Sequence, residues 1–290
     1  MSGKTTRHET LPAYQVSEFM ESAAARPLRI LAEYLDPLHR LRHAGVADTI
    51  VMFGSARMFP LQESHAHLGR LRRAPRPRTA AARREHDRKL REAHAAVHMS
   101  RYYEEARELA RRITEWSIKF GEKPRRFVIC SGGGPGIMEA ANRGAAEAGG
   151  KSLGLNIQLP HEQYPNPYIS PELNFDFHYF FMRKLWFAQL AKALIVFPGG
   201  FGTMDELWEM LTLLQSGKLP HRNLILIYGR KYWDEVLDWR AMVRWGTISE
   251  GDYGLLQFAD TVDDAFQRVR TELEKNHLRV DLDWMGGQPF

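Results

Sequence analysis

Three times in this chain a short run of β-branched and apolar residues ends in a glycine-bearing turn and gives way at once to helix-forming sequence. The runs are 49–53, 127–130 and 193–197. The turns that follow are Gly54-Ser55-Ala56-Arg57, Ser131-Gly132-Gly133-Gly134-Pro135-Gly136 and Pro198-Gly199-Gly200-Phe201-Gly202-Thr203. Strands that alternate with helices pair in parallel and cover both faces of their sheet with the crossover helices. The fold expected is therefore α/β, a doubly wound and mostly parallel sheet with helices on both faces. In such a sheet the C-terminal ends of the parallel strands share one edge, where ligands bind beside a reversal of strand order. Three glycine turns on that edge would line one pocket, and a nucleotide or sugar phosphate is the ligand they suit.

Strands are expected over 49–53, 127–130, 152–157, 175–180, 193–197, 224–228 and 256–258. Helices are expected over 101–120, 135–148, 182–191, 203–214, 231–243 and 262–275. Residues 1–48 form a helical N-terminal extension in which Pro27 and Pro37 act as breaks, and no chemistry is visible there. Residues 49–277 make the α/β domain, with a basic insertion at about 60–100, and 278–290 make a C-terminal tail. Pro135 suits the first position of its helix, where a missing N–H costs nothing.

The third turn carries the most chemistry. The first turn of a helix leaves N–H groups unpaired and bears a partial positive charge, and glycines let a phosphate come close enough to use both. Gly199, Gly200, Gly202 and Thr203 are thus candidates to hold an anion. Glu206, one helical turn further on, could act on whatever the anion is attached to. A second reading stands beside this one: Thr203-x-x-Glu206 also fits a capping box, in which both side chains only pair with backbone donors. A cap, however, does not need three glycines within four positions.

The chain of 290 residues is 44% hydrophobic, enough for a substantial core. Its one cysteine, Cys130, excludes an internal disulfide and a cysteine-based zinc cage, and its place at the end of an apolar run suits a buried, inert thiol. No metal site is expected. The N-terminus lacks the apolar core of a signal peptide and no apolar run reaches membrane length, so a cytoplasmic protein without a membrane partner is expected. The net charge of +5 comes from a local surplus of arginine over 70–91. Pro75 and Pro77 make this a flexible cationic loop followed by a helix. It lacks the interleaved aromatics that stack on bases, so nucleic acid is not expected as a partner; a solvated loop or an attractor for anionic metabolites is.

The segment Pro198-Gly199-Gly200-x-Gly202-Thr203-x-x-Glu206, preceded by Met182-Arg183-Lys184, resembles the LOG (Lonely Guy) family of cytokinin-activating phosphoribohydrolases, often mislabelled lysine decarboxylases. Gly54-Ser55-Ala56-Arg57, Gly132 to Ala140, Gly154-Leu155-Asn156-Ile157 and Leu213 to Lys218 extend the likeness to the longer bacterial members, from about Thr49 into the late 260s. The resemblance implies a Rossmann-like subunit, usually a homodimer or higher homo-oligomer, that hydrolyses the N-glycosidic bond of a nucleoside 5'-monophosphate. The products are a free base and ribose 5-phosphate, and no cofactor is required. It implies catalytic roles for Arg183 and Glu206, and phosphate binding by Gly199, Gly200, Gly202 and Thr203. Gly133, Gly134, Ser55, Lys184 and Asp205 complete the candidate substrate contacts.

Those assignments agree with the chemistry. Breaking a ribosyl C–N bond builds positive charge on the sugar and negative charge on the departing base, so a carboxylate and a cation each favour the transition state. Base preference would reside on a wall around Asn156 and Glu162. The alternative reading is a non-catalytic carrier of a nucleotide or of molybdenum cofactor. A pyridoxal-dependent lysine decarboxylase is not expected, since only Lys184 hints at one. Nor is a dinucleotide dehydrogenase, since no turn gives the full Gly-x-Gly-x-x-Gly fingerprint.

Overall fold

The computed structural model describes residues 11–75, 77–159, 164–219 and 223–278. Glu162 and nearly all of the expected 278–290 tail lie outside them. The chain begins with helices α1 (Ser17–Glu21) and α2 (Arg26–Ala44), then runs through strand β1 (Thr49–Phe53), helices α3 (Leu61–Arg73) and α4 (Ala80–Ser117) and strand β2 (Val128–Ser131). Next come α5 (Ile137–Glu147), β3 (Ser152–Ile157), β4 (Asn174–Phe177), α6 (Phe180–Leu190), β5 (Ala191–Val196) and α7 (Phe201–Gln215). The last elements are β6 (Leu224–Tyr228), α8 (Arg230–Val236), α9 (Trp239–Arg244), α10 (Glu250–Tyr253), β7 (Leu256–Ala259) and α11 (Val262–Leu273).

The seven strands form one sheet in the order β4-β3-β2-β1-β5-β6-β7, and every pairing is parallel. Alternate residues of each central strand point to opposite faces, and both faces are dry. Val51 and Phe53 of β1 join Leu194 and Val196 of β5 in a core packed against α2, α6, α7 and α8. Ile50 and Met52 join Ala193 and Ile195 in a second core under α4, α5 and α11. Burial on both faces explains why these strands read as continuous apolar runs instead of alternating ones.

Several expectations need correction. Pro37 does not break the N-terminal extension; it lies inside α2, while Pro27 occupies that helix's first turn. Ile30, Tyr34, Leu38 and Leu41 of α2 pack on the first core, and this burial outweighs the hydrogen bond that an interior proline forfeits. The cationic stretch is not a flexible loop. Arg70, Arg72 and Arg73 end α3, the prolines confine the break to a few residues, and the later arginines ride on α4, so the insertion is a helical hairpin. The segment 231–243 divides into α8 and α9. Pro135 lies before its helix, whose N-cap is Gly136 at φ 72°.

The expected strand over 175–180 stops at Phe177 because the next residues begin α6, and here the N-terminal extension has a task. The Glu33 carboxylate accepts hydrogen bonds from the N–H groups of His178 (2.8 Å) and Tyr179 (3.2 Å), and the Glu33 carbonyl accepts from Trp186 Nε1 at 3.1 Å. An acid from α2 thereby satisfies donors at the start of the helix that bears Arg183 and complements its dipole. Replacement Glu33→Ala should lower stability by about 1 kcal/mol, the usual cost of losing a capping acceptor. Urea unfolding followed by circular dichroism measures this, and an unchanged midpoint would remove Glu33 from that role.

Candidate functional site

Strand order reverses between β1 and β5, and the crevice at their C-terminal ends receives two of the three glycine turns, with the third beside them on β2. Backbone hydrogen bonds hold the turns together. Ser55 N–H donates to the Pro198 carbonyl at 3.0 Å, and Ile137 N–H donates to the Ser55 carbonyl at 3.1 Å. At Gly136 a Cβ would stand 2.3 Å from the Ser55 carbonyl oxygen, so the approach of the β2 turn to the β1 turn requires glycine there, as does its positive φ.

Helix α7 starts at Phe201, with Gly200 as N-cap and no capping side chain. Thr203 is therefore already inside the helix, and the capping-box reading of Thr203 and Glu206 does not hold. The first-turn N–H groups of α7 keep their capacity to bind an anion. The glycines of this turn differ in function. A Cβ on Gly199 would collide with Thr203 Oγ1 at 2.2 Å, whereas a Cβ on Gly200 or Gly202 would meet nothing within 4 Å. Gly199 is needed by the fold; Gly200 and Gly202 border open space. Sequence reasoning missed Tyr232 on α8, whose hydroxyl donates to the Gly199 carbonyl at 2.8 Å and braces the turn from behind.

Glu206 lies one turn into α7 with its side chain 5% exposed, and its Oε1 accepts from Arg183 Nη2 of α6 at 3.2 Å. The structure thus brings together the two residues that the sequence analysis singled out for catalysis. Burial pushes the Glu206 carboxyl up to about 7, against the opposing pull of Arg183 and Lys184. Burial also lowers the Arg183 pKa, with Glu206 opposing it. The guanidinium lies against the faces of Phe180 and Phe187, at 5.2 and 5.7 Å from their centroids, and its buried Nε has no acceptor among the described residues. Nη1 sits 4.0 Å from where a Gly132 Cβ would be, an ordinary contact distance; the atom that such a Cβ would collide with is Met138 Sδ, at 2.8 Å. Gly132, which was not among the expected site residues, is needed for its packing against α5.

The candidates Gly133 and Gly134 are held within their own turn. Ser131 Oγ accepts from Gly133 N–H at 3.0 Å and donates to Asn142 Oδ1 at 2.6 Å. Asn166 Nδ2 donates to the carbonyls of Gly133 and Gly134, at 3.0 and 3.1 Å. Gly133 has φ 75°, and a Cβ there would be 2.0 Å from Asn156 Oδ1. The Asn156 amide donates to Asn174 Oδ1 and the Phe175 carbonyl, so this residue pins β4 to β3. The Ser55 hydroxyl accepts from Arg57 N–H within its own turn. Lys184 is engaged by Asp205 at 2.8 Å and Glu209 at 2.9 Å. Burial works to lower its pKa, but the hydrogen bonds to these two carboxylates prevail and hold it above the ordinary lysine value. A lysine held as an ammonium is the opposite of what a Schiff-base nucleophile requires.

Residues 138–269 match the family described as "Possible lysine decarboxylase". A probable cytokinin riboside 5'-monophosphate phosphoribohydrolase of Oryza sativa subsp. japonica is 26% identical over 162 residues, covering 54% of this chain and 64% of that protein. A pyrimidine/purine nucleotide 5'-monophosphate nucleosidase of Escherichia coli is 31% identical over 116 residues, covering 36% of this chain and 24% of that protein. The chain therefore spans under two thirds of the first relative's length and about a quarter of the second's. Among solved structures, the molybdenum cofactor carrier protein of Chlamydomonas reinhardtii aligns with TM-score 0.42 and 18% identity, over 79% of this chain and 99% of that one.

The glycines provide a paired test of the site. Gly133→Ala should cost about 2 kcal/mol or more in unfolding free energy, from its strained φ and its collision with Asn156. Gly200→Ala should leave thermal stability unchanged and weaken binding of AMP at least tenfold, as read by isothermal titration calorimetry. Unaltered AMP binding in Gly200→Ala would remove this turn from the binding site.

Proposed function

We propose that this chain, a member over residues 138–269 of the family described as possible lysine decarboxylases, hydrolyses the N-glycosidic bond of a nucleoside 5'-monophosphate to the free base and ribose 5-phosphate. The observation that carries the reading is the buried Arg183–Glu206 pair one helical turn from an uncapped, glycine-flanked helix start. The names of the curated relatives support it.

In this reading the 5'-phosphate rests on the first-turn N–H groups of α7 between Gly200 and Thr203. That anchor orients the ribose, so that remote binding energy is used at the reacting carbon. Water attacks C1' as the C–N bond breaks, and the bonding pair leaves with the base, which takes up a proton. Glu206, as carboxylate, accepts the proton of the attacking water and stabilises positive charge on the ribosyl carbon. Arg183 remains protonated and supports the electron-rich departing base by charge and hydrogen bonding. Gly202 and Thr203 belong to the phosphate site, whereas Lys184 and Asp205 organise the helix pair that carries Arg183 and Glu206.

A carboxylate with pKa about 7 sets the pH dependence. Protonation of Glu206 removes the base, so kcat/KM should rise with pH through about 7 and level off above it. The assay is release of free base from AMP, GMP, CMP and a prenylated AMP. Glu206→Gln should lower kcat about 100-fold or more and abolish that inflection. Tight nucleotide binding without turnover, unaltered by Glu206→Ala, is instead the behaviour of a carrier.

We propose further that the protein works as a homodimer. Leu28, Leu31 and Leu35 on α2 are about half exposed, as are Phe180 and Phe181 at the start of α6, and apolar surface of this kind supports self-association. Sedimentation should show a dimer that Leu31→Glu dissociates; a monomeric wild type would refute this.

A further inference from the structure

A cavity of about 1090 Å³ opens beside Gly199 and Gly200 and runs under the α3–α4 hairpin. Its floor is apolar, built from Met58, Ala93, Ala96 and Met99, and Arg57, Arg70, Arg88 and Lys89 give it a cationic rim. Neither Arg183 nor Glu206 borders it. The glycine turn therefore borders this cavity on a side that the buried ion pair does not share.

The four cations are not equivalent. Arg88 is bonded to Glu85 and Glu92, and Lys89 pairs with Glu85, which satisfies both within α4. Arg57 and Arg70 have no ion pair among the described residues. They reach the cavity from separate elements, Arg57 from the turn after β1 and Arg70 from the end of α3. Two unneutralised guanidiniums on a partly apolar cavity attract an anion more strongly than they would in open water, because the low-dielectric walls focus their field. Guanidiniums also match phosphoryl oxygens in geometry. Glu63 and Glu92 also line the cavity, and the second of these is already bonded to Arg88.

If a phosphate sits on the glycine turn with its ribose ester towards Glu206, the cavity that Gly199 and Gly200 also line is open to its other oxygens. A nucleoside monophosphate is too small to fill a cavity of about 1090 Å³. We propose that the ligand continues past the 5'-phosphate: a nucleoside 5'-diphosphate, free or esterified at its distal phosphate, whose second phosphoryl group is held by Arg57 and Arg70. This rests on the reading above only in placing the first phosphate on the glycine turn. The bond broken is the same C–N bond, and the product is the corresponding ribose 5-diphosphate or its ester.

Isothermal titration calorimetry of the full chain at constant ionic strength, with AMP, ADP and ADP-ribose, tests this. ADP should bind at least tenfold tighter than AMP. In Arg57→Ser/Arg70→Ser that advantage should fall below threefold while AMP affinity is retained. ADP-ribose binding as tightly as ADP, or tighter, identifies the esterified form; much weaker binding identifies the free diphosphate. Equal affinity for AMP and ADP in the wild type overturns the proposal, as does an equal loss for both nucleotides in the double variant, which would signal general electrostatic attraction. Arginine-dependent ADP binding without base release from any nucleotide leaves this proposal standing and sinks the hydrolase reading. Base release from AMP with no preference for ADP does the reverse, and absence of binding by all three nucleotides defeats both.

Discussion

Strand β1 pairs with β2 on one side and β5 on the other, so the chain leaves these neighbours towards opposite edges of the sheet. Everything at the site depends on this reversal. The pairing of Phe53 with Val196 brings the turns after the two strands to the same height, and the bond from Ser55 N–H to the Pro198 carbonyl locks them together. Helix α7 then begins where its unpaired N–H groups face the crevice. Glycine is required at the points of closest approach, where a Cβ on Gly54 would be driven into Ile137 and one on Gly136 into the Ser55 carbonyl.

Onto this edge the fold brings two charges that burial alone would oppose. A buried ion pair gives little net stability, because desolvation of both partners offsets their attraction. Arg183 and Glu206 are nonetheless both largely buried, and Glu206 is tuned to about 7. Perturbed carboxylates of this kind cluster at functional sites, where a group near neutrality can both accept and return a proton. The surroundings are arranged to keep the pair in place. Phe180 and Phe187 flank the guanidinium, and Glu33 fixes the start of α6 from the N-terminal extension.

The α/β class, the positions of the strands and the three glycine turns were legible in the sequence, because strands buried on both faces are continuous apolar runs and glycine punctuates their ends. The catalytic roles expected of Arg183 and Glu206 came from the resemblance, whereas their pairing was not legible: 23 residues separate them, and no local periodicity connects α6 to α7. What stayed hidden depends on tertiary contacts. Pro37 looked like a break because propensity cannot see the core under α2. The arginine-rich stretch looked like a loop because its composition hid a hairpin whose inner face packs on the domain. Gly133, a candidate ligand contact, also shapes the turn itself: its N–H donates to Ser131, its carbonyl accepts from Asn166, and a Cβ there would collide with Asn156. Tyr232 and Glu33 act on the site from elements distant in sequence and offered no motif.

The central claim is that the glycine turn holds a phosphate in the position that sets a ribosyl carbon beside Glu206. A crystal structure with ribose 5-phosphate tests this most directly. The account predicts the phosphate on the N–H groups of Gly200 to Thr203, with the C1' hydroxyl within hydrogen-bond reach of the Glu206 carboxylate. A phosphate bound elsewhere, or a sugar directed away from Arg183 and Glu206, would contradict it.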